Sequence, residues 1–350
     1  MFGTYLDDDV EVLLKDISGL VKPLGTEERE RLIQSGIHYS EMLPLEYEPT
    51  DDYMELYKLA LDKYARITAD SVGNVAEQIL NEKEDKAVIV SLARAGTPIG
   101  ILIKRYIRLK YNIDLPHYTI SIIRGKGIDT NAVRYILDRH SPDMLQFVDG
   151  WTGKGAIKTV LVDALKAYPQ IKADLAVLSD PAYAAEKCGT HEDFLIASSC
   201  LNSTVSGLLS RTFLRNDIIG KDDFHGAVFY QELLDKDVTY EFINKIVSYF
   251  RFDTQYSECS SHQLNCGLEE AKKIQKEFGI SSINYVKTSI GETTRVLLRR
   301  ILWKILVYSL NDEDNLGHIY RLAKEKKVEV IQYPLQNYKA CGLIKELSDV

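Results

Sequence analysis

The sequence predicts an α/β protein built on a parallel sheet, and two observations carry that prediction. Four apolar, β-branched runs, KAVIVSLARAG, HYTISIIRG, MLQFVD and DLAVLSD, alternate with segments of helical periodicity. This is the pattern of strands buried on both faces and joined by crossover helices. Three of the runs also end in glycine-containing loops, SLARAGTP, IIRGKGID and FVDGWTGKG. In an open parallel sheet such loops emerge on one edge, where ligands bind.

The elements follow in order. Thr26, ahead of Glu-Glu-Arg-Glu, reads as a helix start, because a threonine oxygen can cap free amides. Residues 51–82 carry a long amphipathic pattern in which Leu56, Leu59 and Ala60 recur at helical spacing. KAVIVSLARAG is the first core strand and 97–109 its following helix. HYTISIIRG is the second strand, 131–139 a helix, MLQFVD the third strand, 155–167 a helix and DLAVLSD the fourth strand. FLIASS is a candidate fifth, and 204–215 reads as a helix. Beyond Asp217 the aromatic-rich stretches GAVFYQELL and FINKIVSYF read as helical, forming an insertion or hood near 200–270. Past Glu277 a helix-then-strand pattern marks a small α/β module. The expected units are an N-terminal extension (1–50), a main domain (51–276) and a C-terminal module (277–350).

Length and composition set the frame. The chain of 350 residues has room for two or three domains. It contains no apolar run of about 18 residues, so no membrane span is expected. MFGTYLDDDVEVLL is acidic and lacks the basic flank of a signal peptide. Five cysteines without tight spacing point to a reducing compartment, and the expected location is cytoplasmic. A net charge of −8 argues against nucleic-acid binding by the whole surface and leaves room for a local basic patch.

The chemistry concentrates at MLQFVDGWTGKGAIKTVL. A strand ends in Asp149, a turn runs through Gly150, Trp151, Thr152, Gly153, Lys154 and Gly155, and a helix follows. Glycines let main-chain amides approach an anion, and the helix N-terminus adds partial positive charge. The Thr152 hydroxyl is a further donor. A Walker A loop fits poorly, since the glycines are too close together and Gly155 stands where Ser or Thr should follow the lysine.

This stretch resembles the phosphoribosyl-diphosphate loop of type I phosphoribosyltransferases: an apolar strand, acidic residues, then Thr-Gly and a small residue. Gly150 stands where that family has its second acid, and the spacer is short. The resemblance implies that Asp149 holds ribose hydroxyls and that Thr152, Gly153, Lys154 and Gly155 hold a 5′-phosphate. Arg94, Ala95 and Gly96 then correspond to the diphosphate-binding loop. Arg124 and Lys126 belong to a basic glycine-rich loop suited to close over a polyanion and stabilise departing diphosphate, with Mg²⁺ bridging its oxygens.

Other strings narrow the resemblance. GTYLDDDVEVLLKDI, SGIHYSEMLPLEYEPT, SLARAGTPIG, VDGWTGKGAI, SSCLNSTVSGLLSRTFL and DFHGAVFYQEL together resemble the phosphoribosyltransferase-like family of bacterial tellurium-resistance (Ter) stress operons, also named cysteine protease StiP. The resemblance runs over roughly residues 2–260. SIGETTRVLLRRILWKILV with KKVEVIQYPLQNYKACGLIKEL resembles the Pelota-type RNA-binding domain. It implies a type I phosphoribosyltransferase-like sheet with a helical hood and a small C-terminal Pelota-like module. It also implies a role in handling a nucleoside-like compound, or RNA, under chemical stress.

Two rival uses remain open on the residues themselves. Cys200 lies just before the helix expected at 204–215, and a helix N-terminus lowers a thiol pKa. His225 is its candidate base, with His191 as a second, and Asp223 or Asn202 can orient the ring. The alternative function is therefore a cysteine peptidase. In the same segment Asn202, Ser203, Thr204, Ser206 and Arg211 can instead hydrogen-bond a base or phosphate. In the tail, Arg295, Arg299 and Arg300, followed by Lys304, form a basic stripe for RNA phosphates, with Val296, Leu297 and Leu298 facing the core. A non-enzymatic RNA-binding stress factor is the third reading. Cys259, His262 and Cys266, and the pair Cys188 and His191, match no familiar zinc spacing, and no resident protein-ligated metal is expected. His38, in a polar segment before Pro44, reads as a satisfied loop histidine, with a reach to the active edge as the alternative.

Overall fold

The computed structural model describes residues 2–253, 265–299 and 302–344. Strands β1 (Glu11–Val12) and β2 (Lys15–Asp16) and helix α1 (Thr26–Gln34) precede the 33-residue helix α2 (Asp51–Lys83). There follow β3 (Val88–Ala93), α3 (Gly96–Tyr111), β4 (His117–Ile123), β5 (Gly127–Ile128), α4 (Thr130–Leu137), β6 (Leu145–Val148), α5 (Ala156–Leu165), β7 (Leu175–Ser179), β8 (Lys187–Thr190), β9 (Gly226–Ala227) and α6 (Thr239–Val247). The C-terminal part contains α7 (Cys266–Glu277), β10 (Val286–Thr288), α8 (Ile290–Arg299), β11 (Lys304–Val307), α9 (Glu313–Glu325), β12 (Glu329–Gln332) and β13 (Ala340–Leu343).

The expected α/β architecture is present. The main sheet runs β1-β4-β3-β6-β7-β8, all parallel, with β5 antiparallel on the end of β4. Helices α2, α3 and α6 cover one face through Tyr57, Ile103 and Phe242, and α4 and α5 cover the other through Val133 and Leu161. Both faces being buried explains the continuous apolar runs of β3, β4, β6 and β7. In α2 the buried stripe runs through Tyr57, Ala60, Leu61 and Tyr64, which turns Leu59 outward, 53% exposed. Helix α1 does begin at Thr26, but Gly25 occupies the cap position.

Several local expectations differ. FLIASS forms no strand; it leads into a 3-10 turn at Ala197–Cys200. Residues 204–215 are not a helix: a 3-10 turn at Ser203–Val205 gives way to positive φ at Gly207 and Leu208. GAVFYQELL supplies β9 and a 3-10 segment, so α6 is the one α-helix among the described residues 200–253. Strand β8, Lys-Cys-Gly-Thr, lacks a hydrophobic run because it is a short edge strand. The loop carrying Arg124 and Lys126 is a tight β4–β5 hairpin, with Gly125 and Gly127 at positive φ. It is too short to swing over a ligand.

The C-terminal module is a four-stranded sheet, β10-β13-β11-β12. Ala271 and Ile274 of α7, on the N-terminal side of position 276, share one apolar cluster with Val286, Leu306 and Leu343. Ile290 and Leu297 of α8 and Ile319 of α9 join the main core instead, so the module is welded to the main sheet rather than tethered to it. No described helix is long and apolar enough to cross a membrane.

Candidate functional site

The chain leaves β3 for β4 on one side of the sheet and later returns to place β6 on the other side. The carboxyl ends of β3 and β6 therefore flank a topological switch point, where an open sheet leaves a crevice. The two loops emerging there touch. A Cβ on Gly96 would lie 2.4 Å from the Val148 carbonyl and 3.2 Å from Asp149 Cα, so only glycine permits this approach. A cavity of about 810 Å³ opens over the loops.

The amides of the glycine turn divide into two sets. Thr152 N–H donates to Ser179 O at 3.0 Å, and its hydroxyl donates to Asp180. Asp180 also accepts Ala184 and Ala185 amides, each at 3.0 Å. Thr152 is thus a brace, and its hydroxyl is not the ligand donor that the sequence suggested. Gly153, Lys154 and Gly155 differ: among the described residues no acceptor takes their amides. They stand at the head of α5, with Gly155 at φ 76° in the cap position. This is a concentration of unused donors at a positive helix end.

The turn is held from above by the C-terminal module. Tyr338 Oη donates to Gly153 O at 2.6 Å, and Lys154 Nζ donates to Val286 O at 2.6 Å. Burial lowers the Lys154 pKa to about 8, with the Lys287 charge acting in the same sense. Asp149 accepts Gly150 N–H at 2.8 Å; burial raises its pKa to about 6, against the opposing effects of that hydrogen bond and of Arg295.

The cleft walls are cationic. Eight Lys and Arg side chains line it against four Asp and Glu, in a chain of net charge −8. Arg94 donates to Asn202 Oδ1 at 2.6 Å and to Leu209 O at 3.3 Å, and Arg124 lies at the hairpin rim. Arg211 donates to Tyr39 O and Met42 O, fixing the N-terminal segment 39–50 as one wall. Glu46 accepts the Ser203 amide and hydroxyl at 3.1 and 2.7 Å. Ser199 Oγ and Thr204 Oγ1, from residues that also line the cleft, are buried with no hydrogen-bond partner. Such orphaned donors call for a ligand or water.

Other expected residues lie elsewhere. Lys126 pairs with Glu41 at 3.4 Å and is not part of the cleft lining. His38 packs against the hairpin near Gly125, hydrogen-bonded to Ser40. Cys200 does line the cleft, fully buried at its floor. His225 does not: its ring shares a hydrogen bond of 2.8 Å with Ser121 Oγ, and its amide donates to Asp129 at 2.5 Å. Burial lowers its pKa, against the pull of Asp129. Asp180, Cys188 and His191 come together with metal-ligand chemistry. However, the Cys188 sulfur is 3.6 and 3.8 Å from the two ring nitrogens. An atom on one nitrogen's lone-pair axis would be much farther from the other nitrogen, so this is neither a ligating nor a proton-transfer geometry. His191 Nδ1 is also hydrogen-bonded to the Asp180 carbonyl, and the ring stacks on Tyr183. Cys259, His262 and Arg300 lie outside the described residues.

Arg295 enters the cleft from α8. Sequence periodicity alone placed it on a solvent-facing stripe for RNA. Glu292, Lys287, Arg29 and Glu46 also line the cleft and escaped the sequence reading. They come from segments distant in the chain, and no local motif marks them.

Comparison with known proteins places this arrangement in context. Residues 3–247 match the family described as tellurite-like stress resistance cysteine protease StiP, and residues 265–346 match the PELOTA RNA binding domain. The chain is 35% identical over 365 residues to the cysteine protease StiP of Acinetobacter baylyi, covering 99% of this chain and 94% of that protein. Among solved structures, it is similar to a hypoxanthine-guanine phosphoribosyltransferase of Bacillus anthracis, at 17% identity and TM-score 0.29, over 38% of this chain and 82% of the other. It is also similar to a hypoxanthine phosphoribosyltransferase of Trypanosoma cruzi, at 16% identity and TM-score 0.28, over 57% and 93%.

Proposed function

Since the chain belongs to the StiP family, with a PELOTA-type segment at its C-terminus, we propose that its cleft binds a phosphorylated ribose and transfers the ribosyl group to an acceptor. The observation that carries this reading is the row of uncommitted amides at Gly153, Lys154 and Gly155, at the head of α5 in a cationic cleft. They hold the 5′-phosphate. Asp149 accepts ribose hydroxyls through the oxygen not bonded to Gly150. Arg94 and Arg124 stabilise the departing diphosphate. The acceptor's lone pair forms the new bond to the anomeric carbon, the C–O bond to diphosphate breaks with its electron pair, and the acceptor proton passes to solvent.

The donor set fits a magnesium ion, which typically takes one or two carboxylates plus substrate phosphates. Asp149 and Glu292 share the cleft, near enough for Glu292 to help raise the Asp149 pKa, behind the larger effect of burial. These two carboxylates would hold the ion, which supplies charge neutralisation at the diphosphate oxygens. Lys126, paired with Glu41, has no part in this reading.

Calorimetry with ribose 5-phosphate tests it. Wild-type protein should bind. Gly153→Val should lose binding: its Cβ alone would make ordinary contacts of 3.5–3.6 Å with Thr288 and Glu292, and the two further methyl groups have to fit beyond it, beside the amides. Asp149→Ala should weaken it. Wild-type protein that binds no phosphorylated ribose overturns the reading.

The family name and the place of Cys200 in the cleft favour a second reading, a cysteine peptidase. No histidine lines the cleft beside Cys200 among the described residues. Iodoacetamide decides: rapid, selective alkylation of native Cys200 supports a nucleophile, and labelling only on unfolding supports a packed thiol. RNA is a proposed partner of the C-terminal module. Arg299 lies on α8, and contacts through it and Arg300 are testable by crosslinking.

A further inference from the structure

Arg295 belongs to the C-terminal module by sequence and to the phosphate cleft by position. It sits one turn into α8, half-buried, and lines the same cavity as Asp149, Arg94 and Arg124. Among the described residues it has no hydrogen-bond or ion-pair partner. Arg124 likewise has no ion pair among them, and Arg94 is bonded only to a neutral amide and a carbonyl. Burial lowers the Arg295 pKa; the Arg94 and Arg124 charges act in the same sense, while Glu292 and Asp149 oppose it. Three guanidinium groups therefore converge on one cleft with no described carboxylate in contact. Such a cluster is repulsive when empty and attractive to a polyanion. The guanidinium fork also suits phosphate oxygens.

The module is fastened so that Arg295 keeps this position. Asp193, from the main domain, accepts the Ile290 amide at 3.0 Å and the Lys339 amide at 2.9 Å. Together with the Tyr338 and Lys154 bonds to and from the turn, this fixes the start of α8 against the sheet edge. A basic helix serving RNA alone needs no such buried fastening to a small-molecule cleft.

We infer that Arg295, with Arg94 and Arg124, forms a second anion subsite, so that the C-terminal module grips the diphosphate of the ligand whose 5′-phosphate lies on the 153–155 amides. This rests on the proposed ribose-phosphate reading. It makes the module a half of the small-molecule site and Arg295 its specificity residue for a doubly phosphorylated ligand.

The test uses the full chain, Mg²⁺, and three probes titrated separately: ribose 5-phosphate, inorganic pyrophosphate and a single-stranded RNA oligonucleotide. A charged hydrogen bond contributes about 1.5–3 kcal/mol, equivalent to roughly 10–100-fold in affinity. Arg295→Met should therefore weaken pyrophosphate by about 10–100-fold and leave ribose 5-phosphate within about 3-fold. Arg295→Lys keeps the charge and loses the fork, and should give a smaller loss. Its thermal midpoint, matched to wild type, shows that the fold survives. Unchanged pyrophosphate affinity in both variants overturns the inference while ribose 5-phosphate binding stands. Loss of RNA binding with pyrophosphate unaffected overturns it in favour of an RNA role. Pyrophosphate loss in a protein that never binds ribose 5-phosphate keeps the subsite and removes the ribose reading.

Discussion

Asp193 and Ile290 join two parts of the chain that the sequence separates: both carboxylate oxygens of Asp193 lie near the Ile290 amide, at 3.0 and 3.1 Å. Asp193 sits at the rim of the main sheet, and Ile290 is the first residue of α8. One buried carboxylate thus caps the helix that carries Arg295 and Glu292 into the cleft, and it also receives the Lys339 amide.

Asp193→Ala removes the acceptor for two amides. Each unsatisfied buried donor costs about 1–3 kcal/mol. Hydrogen exchange should accelerate at 286–299 and around Lys339, with the β3–β6 core unchanged. Exchange that rises equally throughout would mean that Asp193 stabilises the whole fold rather than the docking.

Acidic groups also set a pH signature. Burial pushes Asp149 up to about 6 and Asp193 up to about 7, although backbone hydrogen bonds oppose the shift at both. Their unfolded values lie near 3.9. The folded state therefore binds more protons between about pH 4 and pH 7, and the stability these groups contribute is full below that window. It falls as pH rises through about 6 and then 7. Thermal midpoints followed across this range should decline less steeply in Asp149→Asn and Asp193→Asn than in wild type. Parallel slopes would show that the two carboxyls titrate normally.

Gly96→Ala is the sharpest steric probe. Its Cβ would meet the Val148 carbonyl at 2.4 Å, and a main-chain atom cannot step aside cheaply. Overpacking of this kind costs about 1–3 kcal/mol. The variant should melt several degrees lower and bind ribose 5-phosphate poorly, since the 149–155 turn must retreat. Gly153→Ala meets only ordinary contacts at 3.5 Å and should keep the wild-type melting point. Calorimetric melts of the pair check the contrast.

Much of the scaffold was legible because it is local. The core strands β3, β4, β6 and β7 announce themselves as apolar runs, and the turn from Asp149 to Gly155 is contiguous in sequence. What was hidden is non-local or depends on a partner. Strand β8 is only Lys-Cys-Gly-Thr, and its strandness comes from pairing with β7. Thr152 reads as a ligand donor until Asp180, brought alongside by β7, takes its hydroxyl. Arg295 has the spacing of a surface stripe, and only the packing of α8 turns it toward the cleft. Cys200 and His225 look compatible in sequence, whereas Ser121 and Asp129 hold His225 away from the cleft wall.

A buried ion network at the other end of the sheet gives an independent test of stability. Asp174 is fully buried between Lys187, at 2.5 Å, and Lys83, at 3.5 Å. Glu82 also pairs with Lys187 and, at 3.9 Å, with Lys83, so removing Asp174 leaves each lysine one carboxylate and costs about 1–3 kcal/mol. Asp174→Ala should lower the unfolding free energy measured in urea by that amount without altering ligand affinity in the protein that remains folded. A change below about 1 kcal/mol would show that water reaches these lysines.

The pairing of the first strands has a consequence for synthesis. Glu11 and Val12 pair with Tyr118 and Thr119, and Lys15 and Asp16 pair with Gly226 and Ala227. These leading residues are synthesised first, yet Tyr118 and Thr119 follow them by more than a hundred residues and Gly226 and Ala227 by more than two hundred. The leading segment must wait unpaired, and the wall formed by 39–50 closes late. A nascent chain carrying the glycine turn is therefore still without a finished binding site until Arg211, which fixes that wall, has been added.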